Sequence, residues 1–482
     1  MVATVVCLLL ALIPGWLALR CIAPHRRSFL FETFALSYGL GMGAVAVTLF
    51  LLTWAGLRLS RGLILFVVLG LVAVLFVLRR RVGSPTPSIR RRTQAAGGAE
   101  PPGAGLSLFR MLLVAVLVLL FLSQAYYAAN TPLSAMDAMG FWGYSAKAIF
   151  FDGSVRSPAI TDPLRGHPHP RYPLLVPLAQ DWVHFLRGRY DDSSVKLLFV
   201  GFYVALVGVV SGAARRRWGR RAGLAAAFLV ATIPVLRADG FGAAFALADV
   251  PLAFFIAAAL VSWLAWMEEG ETRDLVLAFV FAALGAWTKN EGLAALVVLT
   301  VLVVAQSLSK GGRRGMAESA WRRVGPLVGA VAVGWALVMP WLLFQRGLPA
   351  VDENYPAQIR FSVLLANAGR LPVIAGAWLR ELVDAPRWSI LWLLAVVAGV
   401  WAAPAKRAPG RLRSACWLGA FALGQVVVYT VVYVVAPWDV AELLELTATR
   451  LLLHVMPAAV LLCVLVVPKA WRAQSLLPRP PD

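Results

Sequence analysis

The segment NTPLSAMDAMGFWGYSAKAIFFDG (residues 130–153) begins where a long hydrophobic run ends, and a second polar motif, GHPHPRYPLLVPLAQDW (residues 166–182), follows it. Together they form one polar stretch over residues 129–192, with hydrophobic runs on both sides. This stretch contains six carboxylates and three of the five histidines of the chain. We therefore expect an outer loop between two membrane spans, and we expect the chemistry of the protein to lie in it.

Composition identifies the rest of the chain as membrane-embedded. Hydrophobic residues make up 60% of its 482 residues and the mean hydropathy is +0.76. Apolar runs of about 17 to 25 residues recur throughout, each long enough to cross the hydrocarbon core as a helix. The strand alternation that a membrane barrel needs is not visible. The sequence predicts an all-α, polytopic transmembrane bundle of about 13 spans with amphipathic helices in its outer loops.

The formal net charge of +21 reflects topology. Basic clusters alternate with hydrophobic runs, at residues 25–27, 79–81, 90–92, 215–221, 310–314 and 406–413. Placing all of them in the cytoplasm satisfies the positive-inside rule and puts residues 129–192 on the extracytoplasmic side. We therefore predict a multi-pass protein of the plasma (inner) membrane, in contact with membrane lipids and without a nucleic-acid partner.

Composition also predicts four parts along the chain. Residues 1–78 form an N-terminal module of three spans, and residues 79–107, rich in Arg, Gly, Pro and Ser, form a disordered basic cytoplasmic linker. Residues 108–344 form a catalytic transmembrane module that includes the outer loop. Residues 345–482 contain a second outer loop and the C-terminal spans.

Asp137 is the candidate general base. The segment around it predicts an interfacial helix with an apolar stripe, and the residues of this stripe are Trp142, Ala146, Ile149 and Phe150. Asp137, Tyr144 and Lys147 fall on a second, polar stripe. A carboxylate there is able to take a proton from an attacking hydroxyl. Ser134 and Asp137 also match a helix capping box, which is the structural alternative.

Further polar candidates stand at the predicted outer ends of spans. Asp249 opens a span, where a carboxylate needs a partner or the N-terminal end of a helix dipole. Lys289 and Glu291 lie in a tight turn; Lys289 is suited to a phosphate, and an ion pair or a snorkelling lysine is the alternative. Arg450 and His454 share one face of the last span and are candidates for a carrier phosphate, with an interfacial anchor as the alternative for Arg450.

The motif GHPHPRYP supplies the remaining candidates. Arg171 and Tyr172 are predicted to line an acceptor or sugar pocket. His167 and His169 are metal-ligand types, but the prolines between and after them impose an extended backbone that turns the two rings apart. Two histidines without a third ligand do not complete a metal site.

Several motifs, taken in order, resemble the GT-C superfamily of polytopic glycosyltransferases. They are DAMGFWGYSAKAIF, RYPLLVPL, ADVPLAFF, WTKNEG and TRLLLHVMP, spread over about residues 108–467. The most similar branch is the protein O-mannosyltransferase and aminoarabinose-transferase type, family 39. The resemblance implies transfer of a sugar from a polyprenyl-phosphate donor, with inversion, to a hydroxyl of an acceptor whose class (glycan, lipid or protein) is open.

The same resemblance implies roles for individual residues. Asp137 matches the base in the first outer loop, and Asp249 matches the acidic position of the second. Ala138 stands where many members have a second acid, so whether a divalent metal takes part is left open. A transporter or lipid flippase is the alternative function, but such proteins place ionisable groups near mid-bilayer, whereas here they gather at the predicted outer ends.

Overall fold

The computed structural model describes residues 1–26, 28–82, 108–237, 240–311, 317–349, 355–402 and 409–466. These residues form helices joined by short turns, and no strand occurs among them. The helices are α1 (Val2–Leu10), α2 (Leu12–Ile22), α3 (Leu30–Trp54), α4 (Arg61–Val82), α5 (Leu108–Asn130), α6 (Tyr144–Asp152), α7 (Pro158–Thr161), α8 (Leu175–Arg187), α9 (Leu197–Trp218), α10 (Arg220–Ala231), α11 (Asp249–Glu269), α12 (Thr272–Thr288), α13 (Asn290–Gly311), α14 (Ala317–Gln345), α15 (Tyr355–Gln358), α16 (Phe361–Ala366), α17 (Leu371–Val383), α18 (Ala385–Trp388), α19 (Leu391–Ala402), α20 (Pro409–Val435) and α21 (Val440–Val466). A π-helix, Ala138–Gly143, precedes α6.

Within the described residues, ten helical segments are long and apolar enough to cross a membrane. The predicted all-helical, polytopic fold is therefore confirmed. The prediction of about 13 spans differs because three of the predicted spans coincide with the shorter helices α10, α12 and α19, which have 12, 17 and 12 residues. Seventeen helical residues rise only about 26 Å, which is less than the thickness of the hydrocarbon core.

Helix α11 lies at the centre of the bundle. Nearly all of its side chains are buried, and it packs against α9, α12 and α21. Phe254 and Phe255 on α11 contact Phe202 on α9 and Phe281 on α12, with ring centroids 5.5 to 6.5 Å apart. This aromatic core fixes the position of α11 and therefore also the position of Asp249 in its first turn.

The first helices belong to the same bundle. Gly15 on α2 and Gly41 on α3 allow the two backbones to touch, because a Cβ at either position would meet the main chain of the other helix. The Tyr38 hydroxyl on α3 donates to the Leu198 carbonyl at 2.8 Å, and the Trp182 indole on α8 donates to the Cys7 carbonyl at 2.8 Å. The predicted N-terminal module is thus packed against the helices that follow.

A buried ionic cluster links the segment between α2 and α3 to helix α12. Arg26 donates to Asp274 at 3.1 Å and to Glu32 at 3.2 Å, and His25 Nε2 lies 3.0 Å from Asp274. Arg216 on α9 pairs with Glu32 as well. Because Arg26, Glu32 and Asp274 are almost completely buried, the cluster ties α3, α9 and α12 together at the end where Arg216 lies.

Two sequence boundaries change in the structure. Helix α4 continues to Val82, and residues 83–107 lie outside the described residues, so the predicted linker stays a prediction. The segment APWDVAELLELTATR (residues 436–450), which joins the last two apolar runs of the sequence, is helical from Val440 onward. Asp439 explains the early start, because its side chain accepts hydrogen bonds from the backbone N–H groups of Ala441 and Glu442 at 3.0 Å and so caps α21.

We predict that Arg26→Ala destabilises the protein by about 3 kcal/mol, because it leaves two buried carboxylates with fewer partners. The control is Arg165→Ala, which removes an exposed pair with Asp162 and should cost about 0 to 1 kcal/mol. Thermal unfolding of both variants in the same detergent is the measurement. Equal melting temperatures would show that the buried cluster does not hold the bundle together.

Candidate functional site

A completely buried carboxylate, Asp249, lies in the first turn of α11 and is contacted by three cationic or imidazole side chains. Its Oδ1 accepts from Lys289 Nζ at 2.9 Å and contacts His454 Nε2 at 3.0 Å. Its Oδ2 accepts from Arg450 Nε at 3.2 Å and Arg450 Nη2 at 3.0 Å. Both oxygens of Asp249 are therefore fully engaged.

Two of these partners bring in further carboxylates. Arg450 Nη1 pairs with Asp137 Oδ2 at 2.6 Å, and Lys289 Nζ pairs with Glu291 Oε1 at 2.8 Å. Six of the ten side chains singled out from the sequence therefore form one connected ionic group, which we call the Asp249 network: Asp137, Asp249, Lys289, Glu291, Arg450 and His454.

Helix ends and one helix face assemble this network. Lys289 adopts an extended backbone between α12 and α13, and Glu291 stands in the first turn of α13. Arg450 and His454 are four residues apart on α21, so both side chains reach the same neighbour. Asp249 at the start of α11 also benefits from the positive end of the helix dipole. Three chain segments that are distant in sequence thus meet around one carboxylate.

Both cations are paired with carboxylates in the structure. Lys289 is only 4% exposed and its ammonium lies between two carboxylates, which is the ion-pair alternative and not a snorkelling side chain. Arg450 points inward to two carboxylates and does not serve as an interfacial anchor. Charges buried at this depth need such pairing, because an isolated one would be costly.

Asp137 stands at the accessible end of the network, with its side chain 25% exposed. As the residue before the π-helix, it accepts no capping hydrogen bond from the backbone of that helix. The carboxylate has one oxygen on Arg450 and remains partly open. This is the position in the network from which a group is able to exchange a proton with a bound molecule.

Comparison with known proteins bears on what such a network does. The family model described as dolichyl-phosphate-mannose-protein mannosyltransferase matches residues 169–344. This match supports the GT-C glycosyltransferase family. No protein of curated function and no solved structure matches the chain significantly. The matched segment contains Asp249, Lys289 and Glu291, whereas Asp137, Arg450 and His454 lie outside it.

The π-helix separates Asp137 from the other residues of the predicted polar stripe. As predicted, Trp142, Ala146 and Ile149 are buried. A π-turn closes hydrogen bonds between residues five apart and therefore shifts the helical phase of everything before it. As a result Asp137 faces Arg450, whereas Tyr144 and Lys147 face elsewhere.

The four remaining candidates lie outside the Asp249 network. Tyr144 packs against the ring of His167, and the exposed Lys147 stands over the ring of Tyr190. Arg171 donates through Nε and Nη2 to the Leu348 carbonyl at 3.2 and 2.9 Å. These contacts hold the outer loop together, and a role in an acceptor or sugar pocket stays a prediction for these side chains.

Tyr172, the fourth of them, packs in an aromatic group with Phe141, Trp142 and His169. His167 Nε2 lies 2.9 Å from the Ser145 hydroxyl, and its Nδ1 accepts from the His169 backbone at 3.0 Å. Both histidines are thus engaged in structural contacts.

No set of donors fits a divalent metal. Among the described residues, no group of three or more His, Cys, Asp or Glu side chains is placed to hold one. Both oxygens of Asp249 are already held by Lys289, His454 and Arg450. We therefore derive no step through a metal.

Sequence reasoning missed two polar residues beside the network. Gln425 and Tyr429 on α20 are buried, and the Tyr429 ring centroid lies 6.4 Å from that of His454. A signal was present, because Gln425 and Tyr429 are four residues apart within an apolar span and so share one helix face.

We predict that Gly143→Ala lowers the melting temperature by several degrees. A Cβ at Gly143 would stand 2.6 Å from the Ala138 carbonyl oxygen and 2.9 Å from Leu133 Cδ1, so the π-turn would have to open. Gly140→Ala in the same turn is the matched control, since nothing lies within 4 Å of its added Cβ. Thermal unfolding compares the two. If they melt alike, tight packing at Gly143 does not hold the π-turn.

Two histidines of the outer loop predict a pH dependence of stability. Burial, with the nearby His169 second, lowers the pKa of His167 from 6.5 to about 4. Burial also lowers the pKa of His184 to about 4, although Asp191 acts in the opposite direction. As pH falls from 6.5 to 4, the unfolded chain binds protons that the folded chain does not, so stability decreases across this window and levels off below it.

The double variant His167→Gln, His184→Gln should therefore lose less stability than the wild-type chain between pH 7 and pH 4.5. Chemical denaturation at both pH values measures, for each protein, the change in the free energy of unfolding between pH 7 and pH 4.5. A steeper loss in the double variant would contradict the prediction.

Proposed function

We propose that this chain transfers a sugar from a polyprenyl-phosphate donor to an acceptor hydroxyl, with inversion, on the extracytoplasmic face of the plasma membrane, and that Asp137 is the general base. The single observation that carries the proposal is that Arg450 bridges a partly exposed carboxylate, Asp137, and a buried one, Asp249. A base and a phosphate-binding cation thereby stand side by side, as displacement of a phosphate by a hydroxyl requires.

In the proposed reaction Asp137 accepts the proton of the acceptor hydroxyl while that oxygen forms a bond to the anomeric carbon. The bond between the anomeric carbon and the phosphate oxygen breaks, and its electron pair stays on the polyprenyl phosphate. Attack from the side opposite to the leaving group inverts the anomeric carbon. The departing phosphate gains negative charge, and Arg450 and Lys289 are the cations available to stabilise it.

Arg450 links these two events electrostatically. Its Nε and Nη2 are held by Asp249, so the guanidinium plane is fixed, whereas Nη1 is held only by Asp137. When Asp137 becomes protonated it loses its charge, and its pairing with Nη1 weakens. Nη1 is then free to pair with the phosphate at the moment when charge develops there, which is the kind of interaction that lowers a barrier.

The arrangement of charges along the bundle supports the proposed extracytoplasmic position of the Asp249 network. The Asp249 network gathers at the start of α11, the junction of α12 with α13 and the N-terminal half of α21. The buried Arg26 cluster and the arginines at the end of α9 lie at the opposite ends of α11, α12 and α9. By the positive-inside rule the second end is cytoplasmic. A transporter or flippase would place its coupled charges near mid-bilayer, and the partial exposure of Asp137 favours the enzyme.

Asp137→Asn tests the proposal, because the amide keeps the shape and removes the base. We expect the rate of polyprenyl-phosphate release to fall about 10²- to 10⁴-fold. The assay uses purified protein in liposomes, a panel of polyprenyl-phosphate sugars, and a membrane extract as the source of acceptor. Asp152→Asn, at the exposed end of α6, is the matched control and should retain wild-type turnover.

Arg450→Lys tests the second proposed role, in which Arg450 links the base to the leaving phosphate. Lysine keeps the charge but cannot hold both carboxylates with a planar fork, so we expect a large fall in kcat while the protein still folds. Wild-type turnover in Asp137→Asn would remove Asp137 from the base role. An unaltered kcat in Arg450→Lys would remove the proposed link between base and leaving group.

A further inference from the structure

Four polar side chains on three helices, two of them in the Asp249 network, carry buried atoms that have no hydrogen-bond partner among the described residues. These atoms are Glu291 Oε2, both amide atoms of Gln425, the Tyr429 hydroxyl and His454 Nδ1. Gln425 and His454 are 0% exposed and Tyr429 is 2% exposed. We call these four residues the Tyr429 cluster. Leaving so many buried polar atoms unpaired costs free energy, which indicates that a polar ligand satisfies them.

The cluster is continuous with the proposed reaction site. Glu291 shares Lys289 with Asp249, and His454 Nε2 contacts Asp249 directly, so two of its members belong to both groups. Tyr429 and Gln425 lie one turn apart on α20, about 9 and 15 Å from the end of that helix. The cluster therefore lies beside Lys289 and Asp249 and deeper in the bundle than the partly exposed Asp137.

The chemistry of the cluster fits neutral hydroxyl groups. An amide and a phenol each donate and accept hydrogen bonds, and a carboxylate oxygen accepts. A phosphate is a poor fit, because neither Gln425 nor Tyr429 is cationic and the free Glu291 oxygen would repel it. A hydrocarbon chain is also a poor fit, because it would leave every one of these atoms unpaired.

We propose that the Tyr429 cluster hydrogen-bonds the ring hydroxyls of the donor sugar, so that Gln425 and Tyr429 determine which sugar is accepted. This proposal rests on the proposed function, and it adds that the donor is an uncharged polyhydroxyl sugar. The sugar lies between the cluster and Asp137, with its phosphate on Arg450 and Lys289. A site built this way discriminates strongly, because a donor that lacks one hydroxyl leaves buried protein atoms unpaired.

Binding measurements test this without any acceptor. The ligands are a short-chain polyprenyl-phosphate hexose or pentose, its monodeoxy derivatives, and the same polyprenyl phosphate without a sugar. Tyr429→Phe and Gln425→Leu should each weaken binding of the sugar-bearing ligand about tenfold. Neither should change binding of the phosphate without a sugar. For the matching monodeoxy ligand, the variant and the wild-type protein should bind equally.

Tyr433→Phe is the matched control. Tyr433 lies one turn from Tyr429 on α20, but its hydroxyl already has a partner in Thr447 at 2.7 Å. This variant should lose stability and keep wild-type affinity for every ligand. Tyr429→Phe and Gln425→Leu should retain or raise the melting temperature of the ligand-free protein, because they remove polar atoms that are unpaired without ligand.

The outcomes separate this proposal from the proposed function. Equal weakening of the sugar-bearing and sugar-free ligands, or no weakening of either, would overturn the sugar subsite, and water alone would then satisfy the cluster. A wild-type protein that binds the two ligands equally would overturn it as well. Selective binding without turnover would leave the subsite standing and remove the transferase.

Discussion

Burial of the Asp249 carboxylate is the constraint on which the rest of the outer end depends. An ionised carboxylate in an apolar interior is tolerated only if hydrogen-bonding and charged partners surround it. Asp249 has Lys289, Arg450 and His454 on its two oxygens. Because these partners come from the α12–α13 junction and from α21, the pairing fixes the relative positions of three helices. Removal of any one partner would leave the others with uncompensated charge.

Physical rules were sufficient to predict much of this from the sequence. Asp249 stands out in the sequence because a carboxylate at the edge of an apolar run needs a partner, and Lys289 and Arg450 stand out as cations suited to a phosphate. Their mutual contacts could not be predicted, since residues this far apart in sequence meet only through tertiary packing. The length of the apolar runs predicts the helical fold. It does not predict the number of spans, because a helix of 12 to 17 residues carries no sign in its sequence of whether it crosses the bilayer or stops within the bundle.

The predicted polar stripe of the outer loop failed for a different reason. An ordinary helical period places Asp137, Tyr144 and Lys147 on one side, and the apolar residues of the same helix are buried as that period predicts. The π-turn at Ala138–Gly143 changes the phase between Asp137 and the other two. The turn also depends on close packing within the segment, since Gly143 must come close to Leu133 and Ala138. Periodicity alone holds no information about such a turn.

The two halves of the site differ in how far their hydrogen bonds are satisfied, and this difference is itself functional. Both oxygens of Asp249 have partners, so Lys289 and Arg450 are held in place before any ligand arrives, and little reorganisation is needed when charge develops. Around Tyr429 the polar atoms lack partners, so this half is destabilising until a ligand supplies them. A rigid charged half and an unsatisfied neutral half correspond to the two parts of a sugar phosphate. Under the proposed function, binding energy gained from the sugar is available to position the phosphate against Arg450, next to the proposed base Asp137.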